Sequence, residues 1–251
     1  MAMFSTYIAW QPMVWGMPWY VAFPIAIAIS FVGGFAVERV VFKPIQNAPV
    51  LSHIVIFIAL FSIFNSLAGF IWDFTIKNVA SPCGEGPFMG STLLGKHQAG
   101  MIIVTILMLV ALWAFFAFTR VGLAMRAAAA NPESARLVGI RVATMTALGW
   151  GMAAGIGAVA GILIAPVVFL EPNMMLSILL YGFAGAVLGG LTNPLGAVIG
   201  GFIVGIVENL AGTYLGEVGA ELKLSIALVL IIIVLVVKPE GILGRKIVQR
   251  V

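Results

Sequence analysis

The chain has 251 residues, of which 62% are hydrophobic and 9% are charged, and its formal net charge is +4. Soluble domains carry about 25% charged residues, so this composition excludes a soluble protein and indicates an all-α polytopic membrane protein. The small positive charge is typical of basic loops between spans and does not indicate nucleic-acid binding. Cys83 is the only cysteine, which excludes an intrachain disulfide and a cysteine metal cluster.

The first half of the chain contains three predicted membrane spans. Residues 1–15 are apolar but short and are interrupted by Pro12, which is typical of the end of a span whose beginning is absent. Each of the three following apolar stretches is long enough to cross a bilayer. A basic segment separates the first two spans, and a turn-rich segment of mixed charge separates the second from the third. We predict these spans at 19–37, 51–72 and 98–118.

A polar segment with helical character follows at 120–141. Asn131 is a suitable helix N-cap, and Pro132 suits the first helical position, where its missing N–H has no cost. Gly139 can adopt the left-handed conformation that ends a helix. The pattern therefore predicts a helix of about two turns over 132–138. Taken alone, such a loop is more typical of an ordinary cytoplasmic connection than of a docking element, because basic loops are common there. It contains Arg120, Arg126, Arg136 and Arg141.

The second half of the chain contains two further spans and a glycine-rich hairpin. We predict spans at 142–170 and 222–237, with the hairpin at 177–207 between them. A turn at 192–194 divides the hairpin into two arms of about 13 to 15 residues, which are shorter than the ~20 residues of a comfortable span. The related sequences GAVLGG and GAVIGG place closely spaced glycines on each arm. Such spacing favours close helix packing, and a re-entrant hairpin that lines a passage is the alternative interpretation.

The distribution of charge predicts the topology of the chain. The basic segments at 38–47, 120–141 and 238–250 belong in the cytoplasm, and the more acidic loops at 73–97, 171–176 and 208–223 belong outside. The hairpin then begins and ends outside, and the C-terminus is cytoplasmic.

The polar residues inside the predicted spans are few and mostly neutral. They suit a passage for a small polar or zwitterionic solute better than a proton relay or an ion filter. Asn65 can instead form an interhelical hydrogen bond, Glu208 can be an interfacial acid, and Tyr181 can be an interfacial anchor. We find no nucleotide-binding loop, catalytic motif or metal-ligating motif, so we expect no catalytic residues, cofactor or metal. The candidate passage-lining residues are Ser62, Asn65, Tyr181, Glu208 and Asn209.

Five stretches of the sequence resemble one family of proteins. The stretch TRVGLAMRAAAANPESARLVGIRV from Thr119 resembles the cytoplasmic loop of permease subunits of branched-chain amino-acid ABC importers of the LivH/LivM type. The stretches ERVVFKPI, AGIGAVAGIL, GAVLGGLTNPLGAVIGG and KPEGILG follow the same family in the same order. Together they cover most of the chain. Members of the family usually carry a further N-terminal span, so we expect this chain to be a shortened or divergent member.

The resemblance implies an importer permease fold over 1–251, with about five full spans and the short hairpin. It implies a transport subunit of the bacterial inner membrane that is not itself an enzyme. Its expected partners are cytoplasmic ATPase subunits, a second permease subunit in a homo- or heterodimer, an external solute-binding protein and membrane lipid. The loop at 120–141 would couple the ATPase to the passage. The coupling residues implied by the family pattern are Arg120, Gly122, Arg126, Asn131, Pro132, Ala135, Leu137, Gly139 and Ile140.

Other solutes and another transport mechanism are also consistent with the sequence. Similar permeases carry urea and short-chain amides, and the external binding protein sets much of the specificity. A passive small-solute channel with an incidental basic loop would also suit the neutral polar residues. An intramembrane enzyme is disfavoured because no catalytic constellation is visible.

Overall fold

The computed structural model describes residues 1–46, 48–82, 84, 86–88, 91–190, 193–214, 223–238 and 241–244. Cys83, the turn residue Thr192, the predicted start of the last span at Leu222 and most of the basic tail lie outside the described residues. The helices are α1 (Ala2–Val14), α2 (Trp19–Val37), α3 (Val50–Trp72), α4 (Lys96–Phe118), α5 (Arg120–Ala130), α6 (Pro132–Leu137), α7 (Val142–Val168), α8 (Met175–Gly189), α9 (Pro194–Tyr214) and α10 (Lys223–Val237).

Among the residues that the structure describes, five helical segments are long and apolar enough to cross a membrane. They confirm the prediction of an all-α polytopic membrane protein, because such lengths match the ~20 residues of a bilayer span. The segment predicted as a turn-rich loop also contains a small antiparallel hairpin of β1 (Pro87–Phe88) and β2 (Ser91–Gly95). The five segments are Trp19–Ile45, Val50–Trp72, Lys96–Phe118, Val142–Val168 and Leu195–Tyr214.

Two features differ from the sequence-based expectation. The second arm of the hairpin was predicted to be too short to span a membrane, and this is wrong because α9 is 21 residues long. The sequence predicts helical character for 120–141 but gives helix bounds only for 132–138, and α5 also fills the segment before Asn131. Thr119 begins α5, since its hydroxyl accepts a hydrogen bond from the Gly122 N–H at 3.0 Å.

The chain divides into two compact units, Met1–Met174 and Met175–Val251. In the first unit α2 packs against α7 through small residues. A Cβ atom added at Gly34 would lie 2.6 Å from the Trp150 carbonyl oxygen and 2.6 Å from Ala154 Cβ. Only a glycine therefore permits this approach of the two backbones, which is the usual way that membrane helices gain packing contacts.

A turn of π-helix at Glu38–Phe42 and a 3₁₀ turn at Lys43–Ile45 extend α2. Phe42 stacks on Trp150 of α7 with 4.5 Å between the ring centroids. Glu38 is 1% exposed, and neither of its carboxylate oxygens has a hydrogen-bond partner in the described part of the chain. Burial of an acid without a hydrogen-bond partner is costly.

In the second unit α8 and α9 cross at their glycines. A Cβ atom at Gly185 would lie 2.6 Å from Gly201 Cα, and one at Gly189 would overlap the Gly196 carbonyl. Ala184, Val187, Leu188, Val204 and Ile231 form the buried apolar cluster that joins α8, α9 and α10.

The chain after α10 binds back to the end of α8. The Ile242 N–H donates to the Leu188 carbonyl at 2.8 Å, and the Leu243 N–H donates to the Gly189 carbonyl at 3.1 Å. These bonds satisfy carbonyls that the end of a helix leaves free. Asn193 begins α9 by accepting from the Leu195 N–H at 3.1 Å. The end of α8, the start of α9 and the end of α10 therefore lie at the same end of this unit.

Candidate coupling loop and passage-lining residues

The short helix α6 has a defined start and a defined stop. The Asn131 side chain accepts hydrogen bonds from the Glu133 and Ser134 N–H groups at 3.1 and 3.0 Å. The Gly139 N–H donates to the Arg136 carbonyl at 3.0 Å. The two bonds to the Asn131 side chain are the capping that asparagine provides at a helix N-terminus. They confirm the predicted start of α6.

The end of α6 is a Schellman motif. The Ile140 N–H donates to the Ala135 carbonyl at 3.0 Å, and Gly139 has a φ of 83°. Glycine adopts this left-handed conformation without the steric cost that a Cβ atom would add. The predicted stop at Gly139 is therefore confirmed, and the helix is fixed at both ends by local hydrogen bonds.

The two faces of α6 differ in their environment. Ala135 is 3% exposed and faces the protein, whereas Leu137 is 89% exposed and Val138 is 76% exposed. Ala135 therefore supports the helix from within and offers no surface to a partner. The apolar surface that is available belongs to Leu137 and Val138, next to the exposed Arg136.

Of the remaining predicted coupling residues, Arg120, Gly122 and Arg126 lie on α5, and Ile140 lies between α6 and α7. Arg120 and Arg126 are exposed, and Ile140 is half-buried. Gly122 is buried, and a Cβ atom there would lie 2.8 Å from Phe116 Cα in α4. Gly122 therefore has a packing role, because it allows α5 to fold back closely on the end of α4.

The candidate passage-lining residues fall into two sets, one in each unit. On α3, Ser62 is exposed and Asn65 is half-buried, and their spacing places them on one face of the helix. Asn65 Nδ2 donates a hydrogen bond to Asn173 Oδ1 at 2.6 Å. The alternative to passage lining was a hydrogen bond from Asn65 to another helix, but the bond is made to the turn after α7.

In the second unit the Tyr181 hydroxyl of α8 lies close enough to the Glu208 carboxylate of α9 for the two groups to interact. The next residue, Asn209, is exposed, and its backbone carbonyl accepts from the Thr213 hydroxyl at 2.8 Å. The pairing of Tyr181 with Glu208 was not predicted, since nothing in the sequence indicates which faces of the two arms meet.

The contacts of His97 and the burial of Tyr7 were not predicted from the sequence. His97 Nδ1 lies 2.8 Å from the Ser81 hydroxyl, and its Nε2 lies 2.9 Å from the Leu163 carbonyl. It therefore joins the loop before α4 to α7. Tyr7 is fully buried beside Trp72, and no sequence signal distinguished it from the apolar residues around it.

A family model of the permease component of branched-chain amino acid transport systems matches residues 1–236. The chain belongs to this permease family. The match confirms the sequence-based resemblance, and together with the apolar helices it identifies a multi-pass membrane transport permease.

Individual relatives agree with the family. The high-affinity branched-chain amino acid transport system permease protein LivH of Escherichia coli K12 is 34% identical over 237 residues, which are 90% of this chain and 74% of the relative. BraD of Pseudomonas aeruginosa, described in the same words, is 28% identical over 92% of this chain and 76% of its own length. The probable LivH of Methanocaldococcus jannaschii is 34% identical over 145 residues, or 56% of this chain and 46% of the relative. No solved structure matches the chain.

Proposed function

We propose that the chain is the permease subunit of an ATP-driven ABC importer for branched-chain or related amino acids, and that residues 1–251 act as one permease domain. It works in the bacterial inner membrane with cytoplasmic ATPase subunits, a second permease subunit and an external solute-binding protein. ATP hydrolysis takes place in the ATPase subunits. The branched-chain amino acid systems named for its relatives support this substrate class.

The exposed apolar end of α6 is the observation that supports coupling to an ATPase. Leu137 and Val138 are 89% and 76% exposed on a helix whose two ends are fixed by Asn131 and Gly139. A rigid helix that presents apolar side chains beside an arginine suits a groove on a protein partner, because apolar anchors and arginine are typical of protein interfaces. Lipid headgroups would offer no groove for a helix of this length.

The packing of α5 and α6 gives a route for force into the membrane helices. Gly122 holds α5 against the end of α4, and the buried Ala135 anchors α6 inside the loop. Since α5 and α6 both contact α7, a push on α6 would act on two long apolar helices, α4 and α7. Such a connection is what conversion of ATPase closure into alternating access requires.

The topology of the second unit supports a cytoplasmic C-terminus. The residues after α10 bind the turn of the hairpin, so α8 and α10 both run toward the end that carries Lys238. Because the sequence that follows Lys238 is basic, that end belongs in the cytoplasm by the positive-inside rule. The hairpin of 177–207 then begins outside and turns at the cytoplasmic face.

The coupling role is tested with Leu137→Glu in the assembled importer in proteoliposomes. The substitution changes a fully exposed side chain, so the fold is retained while an apolar anchor becomes an acid. Loss of an interface hot spot costs about 2 kcal/mol or more, so ATP hydrolysis stimulated by the loaded binding protein should fall at least about tenfold. Co-purification of the ATPase should fall with it.

Ile76→Glu is the matched control, because Ile76 is 67% exposed in the loop predicted to lie outside. It should leave stimulated hydrolysis near the level of the unchanged protein. Full hydrolysis in Leu137→Glu would show that α6 is not the coupling element. Solute flux in liposomes without ATPase or ATP would instead favour the passive channel.

A further inference from the structure

Hydrogen bonds join the chain after α7 to α3 and to the loop that follows it. Lys77, in the loop after α3, forms an isolated antiparallel bridge with Leu170, just after α7, and both N–H to carbonyl distances are 3.0 Å. Asn65 Nδ2 of α3 also donates to Asn173 Oδ1 at 2.6 Å. Leu170 is 0% exposed, so its side chain is fully enclosed while the bridge is made. We call these three hydrogen bonds the outer clasp, because the loops that make them are predicted to lie outside.

Two residues beside the outer clasp have a strained backbone. Asp73 follows α3 with a φ of 63° and a ψ of 162°, and Phe169 follows α7 with a φ of 63° and a ψ of 156°. They are the only residues other than glycine that have a positive φ in the described part of the chain. This backbone region is essentially restricted to glycine, which has no Cβ atom. Such strain persists only where surrounding contacts hold it, and it is concentrated at sites that change conformation.

The contacts that hold the two strained residues include the outer clasp. The chain reverses at Asp73, so that the Phe74 ring lies against the backbone of Gly69, where an added Cβ atom would overlap the ring. The same reversal brings the loop back to its bridge with the chain after α7. Phe169 lies between the end of α7 and that bridge, so its backbone is fixed on both sides. A tie that served only stability would be stronger with glycine at positions 73 and 169.

Helix α7 has a bend point just before the outer clasp. Pro166 lies inside the helix and has no backbone N–H to donate to the carbonyl four residues earlier, and sharp helix bends are typical of such sites. The loop after α3 is also attached on the other side of this proline. The Ser81 hydroxyl lies 2.8 Å from His97 Nδ1, and His97 Nε2 donates to the Leu163 carbonyl at 2.9 Å. These contacts anchor the loop to the body of α7, whereas the outer clasp holds the residues after the bend point.

We propose that the end of α7 beyond Pro166 is a strained flap, which the outer clasp holds closed and which swings about Pro166 during the transport cycle. The proposal rests on the proposed function, since import requires an opening at the outer face. Opening breaks the three hydrogen bonds of the clasp and returns Asp73 and Phe169 to ordinary backbone angles. The lost hydrogen bonds and the released strain are of similar magnitude and opposite sign. The closed and open conformations therefore differ little in free energy, and a modest differential interaction with a partner shifts the population.

The first test measures amide hydrogen exchange of the full chain in lipid nanodiscs. Asp73→Gly removes strain from the closed conformation, so exchange at the Lys77 and Leu170 amides should slow. Asn78→Gly is the matched control, because Asn78 is an exposed residue of the same loop and its φ is not positive. Glycine adds the same backbone freedom in both variants, so the difference between them reports the strain. Exchange at these two amides should be at least about fivefold slower in Asp73→Gly than in Asn78→Gly.

The second test locks the outer clasp in the assembled importer in proteoliposomes. Antiparallel partners that exchange both backbone hydrogen bonds have Cα atoms about 5.5 Å apart, which is within the range of about 4.4–6.8 Å for a disulfide. Lys77→Cys combined with Leu170→Cys should therefore cross-link on oxidation, in a Cys83→Ser background that removes the natural cysteine. Uptake of L-leucine by the oxidised protein should fall to the level measured without ATP and should recover on reduction. Each single cysteine variant is the control and should keep its uptake after oxidation.

Three results would overturn the proposal. Exchange in Asp73→Gly that is equal to or faster than in Asn78→Gly would show that opening does not release the strain. Full uptake by the cross-linked protein would show that the outer clasp is a static tie. Failure of the cysteine pair to cross-link would contradict the bridge itself. The exchange test contains neither ATPase nor solute, so it still decides whether the flap opens if the unchanged importer shows no ATP-driven uptake and the proposed function fails.

Discussion

The crossing of α8 and α9 allows a sharp prediction for Gly185→Ala. The added Cβ atom would lie 2.6 Å from Gly201 Cα and 2.8 Å from Gly201 N, whereas ordinary van der Waals contact begins at 3.4 Å. Both neighbours are backbone atoms, so no side-chain rotation relieves the overlap and the two helices must separate. Overpacking of this kind typically costs about 1–3 kcal/mol.

Gly182→Ala on the same helix is the matched control. Beyond the local backbone of its own helix, a Cβ atom at Gly182 has no atom of the described residues within 4 Å, so only the intrinsic helix preference changes. That preference favours alanine over glycine by about 1 kcal/mol in both variants. The difference between the variants is therefore the overpacking cost of about 1–3 kcal/mol. For a chain of this size it corresponds to roughly 2–12 °C in apparent Tm.

The assay is thermal unfolding of both purified variants in the same lipid nanodiscs, at one heating rate because membrane proteins unfold irreversibly. Gly185→Ala should unfold at the lower temperature, and Gly182→Ala at or above that of the unchanged protein. Equal unfolding temperatures for the two variants would refute the close contact of α8 with α9.

Two further predictions concern the loop and the turn after α2. Asn131→Ala removes the cap of α6 and should cost about 1 kcal/mol. Amide hydrogen exchange of residues 132–138 should therefore be faster in Asn131→Ala. Asn131→Asp keeps a hydrogen-bond acceptor, so its exchange rates should match those of the unchanged protein. Unchanged exchange in Asn131→Ala would contradict the capping. Glu38→Met replaces a buried acid without hydrogen-bond partners among the described residues by an apolar side chain of similar size and should raise the apparent Tm, since a buried polar group left unsatisfied costs about 1–3 kcal/mol. A lower Tm would mean that Glu38 has a partner in the membrane.

The amino-acid sequence predicted the spans closely, because membrane insertion depends on the apolar character of a continuous stretch. The span predicted at 51–72 is α3 at Val50–Trp72, and the one predicted at 98–118 is α4 at Lys96–Phe118. The bounds of helix α6 were also predicted to within one residue. Its cap and its stop involve only neighbouring residues, so the signals at Asn131 and Gly139 are local.

The bounds of α5 were not predicted, although 120–141 was expected to have helical character, because hydropathy was the main signal and this segment is too polar to resemble a span. Thr119 as an N-cap and the run of four alanines from Ala127 were available as signals, and both favour a helix. The predicted length of the second arm of the hairpin is too short because the sequence suggests Glu208 as the outer end of the arm. The helix instead continues to Tyr214, since one acid near the end of a span can reach the interface.

The sequence by itself determined the membrane class, the family, the positions of most helices and the caps of α6, because each depends on composition, on order along the chain or on contacts within a few residues. Only the tertiary structure decided which polar groups meet. The stacking of Tyr7 on Trp72 and the bond from Asn65 to Asn173 each join segments far apart in the chain. The physical reason is that nearly all faces of a membrane helix are apolar, so periodicity does not mark the buried face and packing of small residues selects it.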